Sequence, residues 1–365
     1  MAGLTMTIPL ATVPPLRFAG ISQGVLLREQ VPLAPYTTFG IGGPARWFTE
    51  CADEQSIVEA VRVARERSLP LFVLGGGSNL LVADVGFPGL VLRVAPVGVE
   101  QQDNLFRVAA GEPWDGFVSL AIDRGFGGIE CLAGIPGTVG GTPVQNVGAY
   151  GQEVSGTIVS VRVLDLHTMT FAELPAAACG FAYRRSIFNS TQRGKFIVTR
   201  VDYKLRPHVF PVLSYPDLRR HFAGRNDTPS LAEAATAVRE IRHAKGMLLV
   251  QGAPDCRSAG SFFRNPVVPQ ARYDDLAAEA AKAVPCFAVT RGFVKIPAAW
   301  LVEHAGFRKG FAMGAAGISS RHTLALINRG GATAAEILTL RDRIVTAVEA
   351  RFGIRLEQEP VWLGP

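Results

Sequence analysis

The chain has 365 residues, 48% hydrophobic and 19% charged, which excludes a disordered, highly charged polymer and leaves ample apolar surface for a folded core. Its 39 glycines and 24 prolines follow no G-X-Y period, so collagen is excluded and short strands joined by backbone-built loops are expected. The net charge of +6 is spread without a run of five or six Lys/Arg, which argues for a small anionic ligand and against nucleic acid.

Residues 1–30 read as an irregular entry arm. Asp53 is suited to cap a helix in which Ile57, Ala60, Val61 and Ala64 recur at helical spacing, and Pro70 ends that stretch. A short buried strand over 71–74 then runs into Gly75-Gly76-Gly77-Ser78-Asn79. Short Val/Ile-rich runs separated by turn residues predict strands at 90–94, 106–110, 158–166 and 195–205, interrupted by a helix at 114–124. The spacing of Leu231, Ala234, Ala235, Val238 and Ile241 predicts a helix over 228–245. A last helix over 333–352 opens on a Thr333/Glu336 capping box and closes at Gly353. Its expected buried stripe is Ile337, Leu338, Ile344, Val345, Val348 and Phe352. No internal repeat is visible.

Cys51, Cys131, Cys179, Cys256 and Cys286 are isolated and lack CxxC spacing, and the six histidines form no HExxH pair. Neither a disulfide framework nor a metal site is indicated, and a reducing cytoplasm fits. The longest uncharged stretch, Cys131 to Gln152, is broken by glycine and proline and does not read as a membrane span. Met1 to Pro15 holds no Lys or Arg and does not read as a secretory signal.

Two glycine-rich loops carry the functional signal. Glycines at 75–77 let backbone N–H groups approach phosphate oxygens, although a tight structural turn is an equal reading. The segment 134–151 holds six glycines and two prolines in 18 residues and forms either an ordered corner or a wall for a large flat ligand. Neither loop is a P-loop or a GxGxxG fingerprint, so together they favour a flavin held by a fold other than Rossmann.

The run Tyr36-Thr-Thr-Phe-Gly-Ile-Gly-Gly-Pro-Ala45, with Leu74 to Asn79, Ile135-Pro136-Gly137 and Gln145 to Tyr150, resembles the UDP-N-acetylenolpyruvoylglucosamine reductase family. Phe181 to Phe188, Ala259 to Pro266 and Leu356 to Glu359 extend the resemblance in order along residues 30–363. It implies an α+β fold: a two-part FAD-binding PCMH-type (vanillyl-alcohol-oxidase-like) module plus a C-terminal α/β substrate-binding domain. On that pattern residues 1–30 are an arm, 31–225 the flavin module (subdomains 31–95 and 96–225) and 226–365 the substrate domain with a catalytic tail. Non-covalent FAD is the implied cofactor and NADPH the hydride donor. The implied substrate is a UDP-GlcNAc enolpyruvate, reduced to the lactyl ether in peptidoglycan precursor synthesis. A cytoplasmic monomer without nucleic-acid, membrane or metal partners is expected.

The resemblance also implies roles. Arg184 matches the family arginine, whose guanidinium can grip a carboxylate by two bonds and gain strength as charge builds there. Ser261 matches the proton donor, and Glu359 the acidic residue that hydrogen-bonds the substrate carboxylate or orients Arg184. Gly75, Gly76, Gly77, Ser78, Asn79, Ile135, Pro136, Gly137, Gly141, Asn146, Gly148, Tyr150 and Arg242 are expected at the flavin. Tyr215, from the loop-bearing form of the family, is expected with Lys245, Asn265 and Lys309 at the substrate. This chain departs from some members at Val361, where they carry a tail arginine. A flavin oxidase on the same fold ranks lower, because His167, His208 and Cys131 lack an attachment motif. A non-catalytic sugar-nucleotide binder is the third reading, and it predicts a colourless protein.

Overall fold

The computed structural model describes residues 18–22, 25–253, 255–280 and 283–364. Its helices are α1 (Glu54–Glu66), α2 (Trp114–Asp123), α3 (Pro216–His221), α4 (Leu231–Ala244), α5 (Gln270–Glu279), α6 (Ala298–His304) and α7 (Ala334–Phe352).

The first sheet has five strands in the order Phe18–Ser22, Val25–Pro32, Pro44–Cys51, Phe87–Val94 and Leu71–Leu74. The first two pairings are antiparallel and the last two parallel. The parallel pairs require a crossover, which α1 supplies. Asp53 caps α1 by accepting from Ser56 N, and the helix buries Ile57, Ala60, Val61 and Ala64 as its spacing predicts. The expected entry arm is corrected here. Phe18–Ser22 and Val25–Pro32 are strands: Val25, Leu27 and Val31 of the second are buried, and it pairs with Pro44–Cys51 through Arg28, Glu29, Val31 and Pro32. Residues 1–17 lie outside the described residues.

The second sheet is wholly antiparallel, in the order Thr170–Pro175, Ile158–Asp165, Phe196–Lys204, Leu105–Ala109, Val99–Gln102. α2 buries Trp114, Phe117, Val118 and Ala121 in the core cluster that contains this sheet's inward residues. The two sheets share one apolar core, and an ion pair also ties them together. Glu54, in the first turn of α1, accepts from Arg162 Nε at 2.7 Å, from Arg162 Nη2 at 3.0 Å and from Thr199 Oγ1 at 2.7 Å.

Helix α4 places Ala235, Ala237 and Val238 in that same first cluster, and not in the C-terminal domain to which the sequence reading assigns residues from 226 onward. The C-terminal core gathers residues from Phe262 to Leu356 around α5, α6, α7 and two small antiparallel sheets, and it takes in Phe39, Ile41 and Leu81. In α7 the fully buried positions include Leu340, while the expected Leu338 and Val345 are only partly covered. After Gly353, in the left-handed region at φ 61°, the tail returns, and Val361–Leu363 pairs in parallel with Leu80–Val82.

Candidate active site

A cleft of about 1110 Å³ runs between the two sheets and the C-terminal core. It is larger than the usual small-ligand pocket of roughly 300–1,000 Å³. Its floor is built of backbone. A Cβ at Gly76 would stand 2.6 Å from Gly137 Cα, so the two glycine loops pack main chain on main chain. Gly77, at φ +62°, has no room either, since a Cβ would meet Tyr36 O at 1.8 Å. Gly141 lines the cleft with nothing within 4 Å of its Cβ position. An uncharged, close-approach wall of this size fits a flavin dinucleotide: Gly75 to Asn79, Ile135 to Gly137, Gly141 and Gly148 all line it.

Asn79 joins three segments. Its Nδ2 donates to Gln145 Oε1 at 2.8 Å and to Glu359 O at 3.3 Å, and its carbonyl accepts from Val361 N at 2.9 Å. The tail is pinned on its other side, where Glu359 N donates to Phe262 O at 2.8 Å and Arg264 N to Glu357 O at 2.9 Å. These bonds carry Glu359 into the cleft directly beside the segment that holds Ser261.

Arg184 comes from a third segment. It occupies the left-handed position (φ 54°) of a tight turn closed by Ala182 N to Arg185 O and Arg185 N to Ala182 O, both 3.0 Å. That conformation costs a non-glycine residue on the order of 1 kcal/mol, so the surrounding bonds must hold it. They do: Asn189 Nδ2 donates to Arg184 O at 3.1 Å and Asn146 Nδ2 to Ala182 O at 3.1 Å. Arg184 Nε lies 3.1 Å from Glu359 Oε1 yet is buried without a hydrogen-bond partner, so the contact is an ion pair at poor angle. Burial pushes the Glu359 carboxyl up from its ordinary value, against the opposing pull of Arg184 and Arg264.

Arg184, Ser261 and Glu359 therefore line one cleft, together with Arg242. Burial lowers the Arg242 pKa, and the side chain is tied to backbone, donating to Gly134 O at 3.0 Å and Met247 O at 2.8 Å. Other expected contacts sit elsewhere. Asn146 is 1% exposed and spends its amide on Glu153, Ala182 and Ser155, so it supports the Arg184 turn behind the wall. Tyr150 is also buried off the wall, edge-on to Tyr215 at 5.3 Å, with its phenol pushed up to about 12 by burial. Tyr215 is 40% exposed at the start of α3, and Lys245 pairs with Asp217 of the same helix. Asn265 Oδ1 accepts from Ala298 N at 2.8 Å, at the first turn of α6. Lys309 lines a separate shallow pocket of about 370 Å³ with Glu303 and Arg308.

Two residues escaped the sequence reading. Arg264 lines the cleft with a buried, unpartnered Nε, and its place three residues after Ser261 in Ser261-Phe-Phe-Arg264 was the available signal. His322 Nε2 stands 3.1 Å from Ser261 Oγ, and a lone histidine in a Ser-Arg turn gave no signal at all. Among the described residues no cluster of three His, Cys, Asp or Glu side chains is placed to hold a metal, and no helix is long and apolar enough to cross a membrane.

Residues 252–363 match the family model for the UDP-N-acetylenolpyruvoylglucosamine reductase C-terminal domain, and residues 45–170 match an FAD binding domain. The chain is 44% identical over 349 residues to a UDP-N-acetylenolpyruvoylglucosamine reductase of Thermobifida fusca (strain YX), covering 92% of this chain and 98% of that protein. A reductase of the same name from Nocardia farcinica (strain IFM 10152) is 42% identical over 350 residues, covering 93% of this chain and 91% of its own. The crystal structure of UDP-N-acetylenolpyruvylglucosamine reductase from Thermus caldophilus superposes with a TM-score of 0.64 at 27% identity, covering 93% of this chain and all (100%) of that one.

Proposed function

The chain belongs to the UDP-N-acetylenolpyruvoylglucosamine reductase family, and we propose that Arg184, Ser261 and Glu359 carry its chemistry. It is an FAD- and NADPH-dependent UDP-N-acetylmuramate dehydrogenase of peptidoglycan precursor synthesis, acting on a sugar nucleotide. When bound, FAD supplies the two-electron chemistry that links NADPH to the enol-ether double bond.

The protein's part is to manage charge and a proton. As the double bond is reduced, negative charge moves onto the substrate carboxylate. Arg184 faces that charge with a permanent cation whose grip strengthens as the charge grows. Glu359 would repel a carboxylate if ionised, but burial raises its pKa and favours a proton there that can be shared with the substrate. Ser261 Oγ holds the proton destined for the adjacent carbon. The glycine loops at 75–79 and 135–141, which line the cleft, would hold the FAD pyrophosphate through backbone N–H groups. Tyr215 and Lys245 close on the substrate diphosphate, which requires Lys245 to exchange Asp217 for phosphate. We read the enzyme as a cytoplasmic monomer in which NADPH and sugar nucleotide occupy one pocket in turn.

The observation that carries this reading is the meeting of three side chains from distant segments in one cleft. An anaerobic spectrum tests it. A yellow protein should be bleached by NADPH and recoloured by the enolpyruvyl sugar nucleotide. Recolouring only by oxygen would make it an oxidase instead, and a stable ternary complex would defeat the shared pocket.

A further inference from the structure

Ser261 is a weak acid, and the structure puts one polar side chain against its hydroxyl. His322 Nε2 lies 3.1 Å from Ser261 Oγ. Neither partner is free to wander. Phe262 N donates to Leu324 O at 2.7 Å, locking the residue after Ser261 to the turn that carries His322. That turn is held from below. His322 N donates to Ser319 Oγ at 3.2 Å, and Asp255 Oδ2 accepts from Ser319 Oγ at 3.0 Å, Ser320 N at 2.8 Å and Ser320 Oγ at 2.6 Å.

We propose that His322 is a positioning residue for Ser261: its Nε2–H donates to Oγ, turns the hydroxyl proton toward the cleft and holds the oxygen as that proton leaves. The inference rests on the reading of Ser261 as proton donor. In the step itself the Oγ–H bond breaks and a C–H bond forms at the substrate carbon. The O–H electron pair stays on Oγ, which His322 stabilises by hydrogen bond until solvent returns a proton. A donor aimed at the atom where charge develops lowers the barrier most when water is largely excluded. The surroundings keep the imidazole neutral. Burial lowers its pKa to about 4, and Lys245, Lys309 and Arg242 add to the effect. A neutral ring can donate to Oγ without competing with it as the acid.

The test compares flavin-loaded full-length Ser261→Ala, His322→Ala, His322→Gln and the double variant Ser261→Ala/His322→Ala, one half-reaction at a time. His322→Ala should slow anaerobic recolouring by the enolpyruvyl sugar nucleotide about 10–100-fold. Bleaching by NADPH should stay within about twofold, since no serine proton is used there. His322→Gln, whose amide can also donate, should recover most of the loss. The double variant should recolour no more slowly than Ser261→Ala alone. Wild-type recolouring by His322→Ala, beside a slow Ser261→Ala, overturns the inference and leaves the proton-donor reading standing. Losses that multiply in the double variant overturn it too. Wild-type recolouring by Ser261→Ala removes the proton-donor reading first, and this inference with it. A readout independent of turnover is the ¹⁵N spectrum of histidine-labelled holoenzyme, where Nε2 of His322 should carry a proton and shift in Ser261→Ala. An unprotonated Nε2 overturns the proposal even if the alanine variant fails to fold.

Discussion

Arg184 Nε and Glu359 Oε1 stand 3.1 Å apart at the edge of the cleft, one from a strained turn and the other from the returning tail. The pair is close but badly angled, so Arg184 keeps hydrogen-bonding capacity. An anion entering the cleft meets a guanidinium that is neutralised only in part.

Glu359 gives the first prediction. A carboxyl whose pKa is raised in the fold favours folding while protonated, and its ionisation erodes stability as pH rises above its ordinary range. Glu359→Gln mimics the protonated form. It should melt higher than wild type at pH 7, and the gain should fade toward pH 4. Turnover should nonetheless drop about 100-fold or more. A melting temperature below wild type at pH 7 would contradict the desolvation argument. Arg184→Lys should not restore the activity lost in Arg184→Ala, because an ammonium cannot make the planar two-bond grip.

The glycine floor separates fold from cofactor. Gly141→Ala has open space around its Cβ, so melting of the flavin-free protein should be unchanged while FAD binds more weakly. Gly77→Ala must displace the Tyr36 carbonyl and adopt a positive φ, so it should lower stability with or without FAD. Equal stability losses in the two variants would show that Gly141 is structural. Calorimetry of the two flavin-free proteins, with FAD titrations, gives both numbers.

The Glu54–Arg162 pair clamps the two sheets that wall the cleft. Arg162 hydrogen bonding holds the Glu54 pKa below its ordinary value, with Thr199 assisting. Its contribution is present above the unfolded value and is lost as pH falls through the folded one. Arg162→Ala should cost about 1–2 kcal/mol at pH 7, toward the low end for a charged hydrogen bond because the pair is partly exposed. The cost should shrink in acid. Urea unfolding at pH 7 and pH 3.5 measures it, and a pH-independent difference would assign the loss to packing.

His322 makes an acid-side prediction. Its pKa is depressed to about 4 by burial and by Lys245, Lys309 and Arg242, with Ser261 as the neutral group facing it. The unfolded chain takes up this proton near pH 6.5 and the folded protein resists it until about 4, so stability falls with pH across that window. His322→Gln cannot titrate, and its loss of stability between pH 7 and pH 4.5 should be smaller than that of wild type. Parallel curves for the two proteins would mean the ring is solvated.

Local chemistry was legible from residue order. Asp53 and Thr333 cap their helices because a short polar side chain meets its own backbone three residues on, and such bonds need no distant partner. The strand at 71–74 follows from a short apolar run between Pro70 and Gly75, and those at 158–165 and 196–204 from β-branched runs bounded by turn residues. The glycine loops were visible as loops that favour a flavin, and the family resemblance named it as FAD. The strand 44–51 was missed because it opens on Pro44 and its buried residues Ala45, Phe48, Thr49 and Cys51 do not alternate at the strand period.

The sequence by itself determined the capped helices, several of the strands and the two glycine loops, and the family resemblance carried in its motifs named Arg184, Ser261 and Glu359 as candidates. Only the tertiary structure decided which side chains share a cleft. It brought the tail back beside Leu80–Val82, set Asn146 behind the wall, and put His322 against Ser261. The physical reason is range. Caps, turns and periodic faces are settled by neighbours a few residues away, whereas a site is settled by long-range pairing and burial, which no window along the chain contains.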